Sequence, residues 1–315
     1  MPTVYRKILR YAAAFIAVVT LTFIIPRLMP GDPVINLLGE DSTLSREQVE
    51  EIREELGLNK PLILQYGRYW KNIITADFGY SYHYNRKVLE LISGRVGWTL
   101  LLILPSVIIG GVFGSFLGSR WGWRSEKKLS KAGSAIFLIF YSTPPFFLAM
   151  ILLYLFSFKL GWFPLKGYYD SGSFRDILLH IILPVSVLSL FSLARNSMII
   201  RGSVIQEKGN LYVLYARAKG LRSRAILIRH VFWNASLPLI TIIALDFGFM
   251  FSGALFVEMV FSMNGMGTLL YDAVKSLDYP VLQGAFLIIS WMIICANAAA
   301  DLLYSFIDPR LRVHR

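Results

Sequence analysis

Six stretches of this chain are almost unbroken runs of apolar residues: 8–29, 98–118, 132–158, 177–194, 235–261 and 281–307. A helix rising about 1.5 Å per residue needs roughly 20 such residues to cross ~30 Å of hydrocarbon, so each run predicts a membrane-spanning helix. Within the second run, Gly110, Gly111, Gly114 and Gly118 follow small-x-x-x-small spacing, which predicts close approach of a neighbouring helix. Pro144-Pro145 interrupts the third run and predicts a break there. The connections are polar, and two are long. In the first, 30–96, Ser45-Arg46-Glu47-Gln48 reads as a capping box opening a helix with Val49, Ile52 and Leu56 on one face. Gly57 closes that helix and Pro61 stops it, and a second amphipathic segment is expected from Gly67-Arg68-Tyr69-Trp70 onward. This external cap serves either as a cover over the helices or as a docking face. In the second, 195–234, Asn210 is placed to cap a short helix whose Leu211, Leu214, Tyr215 and Ala218 share one face. Arg217 and Lys219 lie off that face, and Gly220 suits the left-handed position that ends a helix. A further amphipathic stretch, 223–233, leads into the fifth span. Such a short helix either lies in the headgroup layer or inserts into a groove on another protein.

Composition narrows the class. Of 315 residues, 55% are hydrophobic and 17% charged, against about 25% charged in a soluble domain. So few charges cannot cover so much apolar surface in water, and disorder or a disulfide scaffold is excluded by the same figures. The net charge is +12. Nineteen of the 32 basic residues lie in the N-terminus, the second and fourth connections and the tail, with only three acids: Glu126, Glu207 and Asp308. The positive-inside rule then places both termini in the cytoplasm, and this bias with anionic lipid headgroups accounts for the charge without nucleic acid. Arg6, Lys7 and Arg10 before an apolar core resemble a secretory signal. The core is too long, however, and Pro26-Arg27-Leu28-Met29-Pro30 offers no cleavage site, so a retained anchor is expected.

Candidate chemistry is sparse. Cys295 lies in an apolar run, and His83, His180, His230 and His314 show no metal-ligand spacing. No H-E-x-x-H, G-x-S-x-G or phosphate-binding G-x-x-x-x-G-K-[ST] occurs, so no catalytic, cofactor or metal site is expected. Acids inside spans are functional suspects by default. Glu258 and Asp301 sit near span ends, where solvation or a helix contact accounts for them, whereas Asp246 is deeper. Asp246 either lines a cavity or packs among the helices, and the break at Pro144 and Pro145 is either a lumen-facing or a packed structural kink; these three residues are the candidates for lining a pathway through the membrane.

Tyr215-Ala216-Arg217-Ala218-Lys219-Gly220-Leu221, followed by Arg229-His230 and Asn234-Ala235-Ser236-Leu237-Pro238, resembles the cytoplasmic loop of binding-protein-dependent ABC importer permeases of the peptide/nickel class. Pro30-Gly31-Asp32-Pro33, Leu56-Gly57-Leu58, Asp77-Phe78-Gly79-Tyr80-Ser81, Asn264-Gly265-Met266-Gly267, Asp278-Tyr279-Pro280-Val281 and Asp308-Pro309-Arg310 continue the resemblance in order. One departure is Leu214-Tyr215-Ala216, where the broad family often has Glu-Ala-Ala; the peptide class resembles the present version.

The resemblance implies an all-α membrane protein of six transmembrane helices. The expected organisation is an N-terminus and first helix (1–29), an external cap loop (30–96), a five-helix core (97–307) containing a cytoplasmic coupling loop (195–234), and a cytoplasmic tail (308–315). It implies a second homologous permease, two ATPase subunits that bind ATP and Mg, and an extracytoplasmic substrate-binding protein as partners. Residues Leu211, Leu214, Tyr215, Ala216, Arg217, Ala218, Lys219, Gly220 and Leu221 would dock into an ATPase subunit. The implied substrate is a di- or oligopeptide, with nickel complexes or oligosaccharides as alternatives carried by the same machinery. A proton-coupled secondary transporter is the alternative from another class; it usually shows internal repeats, and none is found.

Overall fold

The computed structural model describes residues 2–28, 50, 53–54, 59–81 and 83–307. Of the expected helix opened by Ser45 and closed by Gly57 only residues 50 and 53–54 are described, and they are helical; the tail beyond 307 lies outside the described residues. The chain divides into two compact units, residues 1–99 with 264–294, and residues 100–263 with 295–315.

In the first unit, helix α1 (Pro2–Leu28) is apolar around most of its circumference, as a helix bathed in lipid must be. Helix α2 (Leu62–Ile74) begins directly after Pro61, five residues before the expected Gly67. Proline at the boundary has no N–H to lose, and its fixed φ suits a helix entrance. The aromatic face of α2 packs on α1. Thr20 Oγ1 and Tyr66 Oη are 2.8 Å apart, Thr22 Oγ1 and Tyr69 Oη 3.0 Å, and Arg27 donates to Gln65 Oε1 at 3.0 Å. A two-stranded antiparallel hairpin, β1 (Tyr80–Ser81) and β2 (Arg86–Lys87), then leads into α3 (Val88–Trp123). The start of α3 shares a core with α10 (Met266–Lys275) and the start of α11 (Tyr279–Ile307): Val88, Ile92, Met266, Leu269, Val281 and Leu282 are all buried. Ser81 Oγ donates to Asp278, Tyr84 Oη donates to Asp272 at 3.1 Å, and Thr99 Oγ1 accepts from the Met266 amide at 2.8 Å.

The second unit begins in α3 and continues through α4 (Lys128–Ser142), α5 (Pro145–Leu152, extended as a π-helix over Leu153–Lys159) and α6 (Phe174–Glu207). It then holds α7 (Leu211–Ala218), α8 (Ser223–Ile226) and α9 (Phe232–Val260), a π-helical turn over Leu227–Val231 joining the last two. The glycine spacing read in the sequence is the α3–α6 contact. A Cβ at Gly110 would lie 2.4 Å from Ser192 Oγ, at Gly114 2.9 Å from Asn196 Cβ, and at Gly118 2.5 Å from the Ser197 carbonyl. Gly122 extends the row, meeting the Arg201 carbonyl at 2.8 Å, while Gly111 faces Ile243 of α9 instead.

The third apolar run is broken at Pro144-Pro145, where the sequence predicts a break. Helices α4 and Pro145–Lys159 meet at 101°, a broken span or a re-entrant turn rather than a kinked helix. A proline disfavours the helical conformation of the residue before it, and here two successive residues are extended: Thr143 has ψ 125° and Pro144 ψ 135°. Four helices, or five with the bent pair counted as one, are long and apolar enough to cross a membrane among the described residues. Among the described residues the fold is all-α apart from the hairpin. Helix α6 also runs past its apolar run, to Glu207.

Candidate functional site

Helix α7 is held from one side only. Val213 and Ala216 are buried in a cluster with Ile200 and Val204 of α6, Ile226 of α8, and Val231, Ala235 and Leu239. Leu211, Leu214 and Tyr215 point away from this cluster and are 68%, 61% and 64% exposed. The face that the spacing marked as apolar is therefore the presented face, and the anchoring face is the one bearing Val213, which the spacing did not single out. Ala218, Arg217, Lys219, Gly220 and Leu221 are exposed as well, and Ala216 alone of the expected docking residues is buried. Arg217 lies over the Trp123 ring at 5.5 Å, a cation–π contact that ties α7 to the end of α3. Trp123 Nε1 in turn donates to Ser223 Oγ at 2.7 Å.

Both ends of α7 have definite chemistry. Asn210 occupies the N-cap position, but its side chain makes no capping bond; its Nδ2 donates to Glu207 Oε2 at 2.9 Å. Tyr212 Oη donates to the same oxygen, and Glu207 thus fastens the helix entrance to the end of α6. Burial first, then the Glu207 hydrogen bond, raises the Tyr212 phenol above its ordinary range, which keeps it a neutral donor. At the other end Gly220 has φ +76°, its amide bonds the Arg217 carbonyl at 2.9 Å, and the Leu221 amide bonds the Ala216 carbonyl at 3.2 Å. This is the Schellman closure that the glycine's position predicts.

A second candidate region lies where α5, α6 and α9 meet. Asp246 of α9 is 3% exposed and pairs with Arg195 of α6. Ser192 Oγ donates to Asp246 Oδ2 at 3.1 Å, and Asn196 Nδ2 donates to Ser192 Oγ at 3.0 Å. The guanidinium of Arg195 also rests 5.1 Å from the centre of the Phe249 ring. A cavity of about 340 Å³ opens here, lined by Tyr141, Pro145, Phe191, Arg195, Asp246 and Phe256 among others. Pro145 and Asp246 therefore share one cavity, while Pro144 is exposed and outside its lining. Glu258 is completely buried near the end of α9, so solvation at a span end does not account for it. Arg195 is the residue that sequence reasoning missed. It follows the fourth apolar run, where a basic residue reads as a cytoplasmic charge, and no local spacing links it to a carboxylate 51 positions away.

A mostly helical protein with several helices long and apolar enough to cross a membrane belongs to the class of multi-pass membrane proteins. Residues 95–313 match the family described as binding-protein-dependent transport system inner membrane component, and residues 2–103 match its N-terminal family. The chain belongs to this family, the inner-membrane permeases of ABC importers, and its curated relatives fall in the peptide class. It is 35% identical to a probable peptide ABC transporter permease of Sinorhizobium fredii over 98% of both chains. It is 35% identical to a putative peptide permease of Brucella suis over 95% of both. A dipeptide transport system permease of Alkalihalophilus pseudofirmus is 30% identical, again over 98% of both. Among solved structures, a chain of the MetNI methionine ABC transporter in inward-facing conformations superposes with TM-score 0.59 at 16% identity. That match covers 70% of this chain and 97% of the other, and it is a likeness of fold.

Proposed function

We propose that this permease imports di- or oligopeptides, forms half of a translocation pathway with a second homologous permease, and receives its driving force through α7. The observation that carries the proposal is the presented face of α7. Leu211, Leu214 and Tyr215 stand in solvent on a helix anchored by Val213 and Ala216, closed at Gly220 and pinned by Arg217. An apolar helix face held this firmly fits helix-in-groove docking onto a partner. Two ATPase subunits, which would bind ATP and Mg, are the proposed partners on the cytoplasmic side. Their closure would carry 211–221 and the ends of α6 and α9 as one body, shifting the spans between two packed arrangements. In this reading the chain has six spans with both termini cytoplasmic, and the cap formed by α2 and the hairpin faces an extracytoplasmic substrate-binding protein.

The cavity beside Pro145 and Asp246 is the proposed stretch of the pathway. Asp246 is ion-paired with Arg195 and hydrogen-bonded to Ser192, an arrangement that counts against its service as the proton carrier of a secondary transporter. The peptide assignment rests on the names of the relatives; nickel complexes and oligosaccharides remain the alternatives within the same machinery.

Purification in mild detergent followed by mass spectrometry, with uptake measured in proteoliposomes, tests the proposal. A second permease and ATPase subunits carrying phosphate loops are expected to co-purify, and uptake is expected to require ATP. Recovery of the chain alone, moving solute down a proton gradient, would overturn it.

A further inference from the structure

The connection between α5 and α6 turns back on the first turn of α6 and brings three potential metal ligands together. Asp170, Asp176 and His180 each contribute one atom, all within 4.8 Å of one another. Asp176 and His180 are one helical turn apart on α6, and Asp170 arrives from the connection. The turn that delivers it is built around Gly172, whose φ of +72° other residues rarely adopt. Oδ2 of Asp176 accepts from the backbone amides of Asp170 and Ser171 at 2.7 Å, from Gly172 at 3.2 Å, and from Ser171 Oγ at 3.2 Å. One carboxylate oxygen thus fixes the loop, and Oδ1, 3.2 Å from His180 Nδ1, is left on the imidazole side.

His180 supplies the independent observation. Its side chain is 1% exposed, and Nδ1 lies 2.9 Å from the Asp176 carbonyl. A carbonyl oxygen only accepts, so Nδ1 carries the proton, and in the neutral ring Nε2 presents a lone pair. That Nε2 is buried with no hydrogen-bond partner, and Asp170 Oδ2 stands 3.7 Å from it. A lone pair aimed at a carboxylate is repulsive unless the ring takes a second proton or a cation lies between them. An imidazole fixed through Nδ1–H on a backbone carbonyl, with Nε2 left free, is the orientation that metal-bound histidines usually have. At bond lengths near 2.0–2.1 Å a tetrahedral zinc ion holds its ligand atoms roughly 3.3–3.5 Å apart; the 3.7 Å between Nε2 and Asp170 Oδ2 is close to that span, and Asp176 Oδ1, which stands by Nδ1, would turn toward the ion to become the third ligand.

We infer that Asp170, Asp176 and His180 form a divalent-metal site of the zinc type, one imidazole and two carboxylates, that clamps the α5–α6 connection onto the head of α6. The inference is independent of the transport reading. Its role is structural: the same connection bonds the end of α9 through the Gly167 amide and Phe261 carbonyl at 3.0 Å, so the ion would fasten a loop already tied to two helices. Sequence spacing carried one trace of it, the Asp176–His180 pair at i, i+4, but the third ligand is made adjacent only by the turn at Gly172.

The test titrates ZnCl₂ into the untagged chain in its native assembly in mild detergent, after chelator treatment, by calorimetry. Wild type, Asp170→Asn and His180→Gln are compared, with thermal midpoints recorded with and without zinc. Asp170 has an 86% exposed side chain, so Asp170→Asn keeps the fold even if His180→Gln does not. The expected result is a saturable site that Asp170→Asn weakens more than about tenfold, a loss that disturbing even an outer-shell partner produces. Zinc is expected to raise the midpoint of wild type and not that of Asp170→Asn. Absence of saturable binding to wild type, or equal affinity in wild type and Asp170→Asn, would overturn the inference and leave an ordinary ion pair.

Discussion

Arg195 and Asp246 illustrate how a charge is tolerated among apolar helices. Each satisfies the other, Ser192 and Asn196 extend the network, and Phe249 covers the guanidinium. Removing one member strands the other in a low-dielectric setting, which typically costs about 3–5 kcal/mol, whereas replacing both by apolar residues of similar volume is often neutral. Arg195→Met alone is therefore expected to lower the thermal midpoint sharply, and the double variant Arg195→Met, Asp246→Leu to recover most of the loss. A double variant no more stable than the single would show that the pair is not a closed unit. The acid was legible in the sequence because a carboxylate inside an apolar run demands an explanation. Its partner was not, because Arg195 stands at the edge of a run where a basic residue is already accounted for by the membrane interface.

At the scale of elements, the chain disclosed most where a residue type acts through backbone geometry. Gly110, Gly114 and Gly118 predicted a close helix contact, and the structure supplies its partner, α6. A Cβ at Gly118 would meet backbone that cannot rotate away, whereas Gly202 of α6 has nothing within 4 Å. Gly118→Ala is accordingly expected to destabilise by about 1–3 kcal/mol through overpacking. Gly202→Ala is expected to be neutral or to stabilise by up to about 1 kcal/mol through helix propensity. Thermal unfolding of the two single variants checks this, and equal effects would contradict the α3–α6 contact. Gly220 ended α7 as its position required. Periodicity was less complete: it identified Leu211, Leu214 and Tyr215 as one face but not that Val213 and Ala216 form the other, because an eight-residue helix with apolar residues on both sides has no unique inward stripe. The 101° turn at Pro144-Pro145 exceeds what the run predicted, since hydrophobicity reports length and not direction.

For the whole molecule, composition and six apolar runs sufficed to define a helical membrane protein, and the ordered loop motifs sufficed to define its family. Long-range pairings such as Ser81 with Asp278, 197 positions apart, were not legible, because they depend on how the chain returns on itself. The proposed role of α7 is that of the handle by which a partner's work reaches the spans. The most direct measurement is ATP-driven peptide uptake by assembled transporter carrying Leu214→Ala and Tyr215→Ala together. Both side chains are largely exposed, so each substitution is expected to change stability by no more than about 0.5 kcal/mol and membrane insertion is expected to be normal. Uptake is expected to fall at least about tenfold, as truncating two central anchors of a docked helix would produce. Uptake at the wild-type rate from normally inserted protein would contradict it.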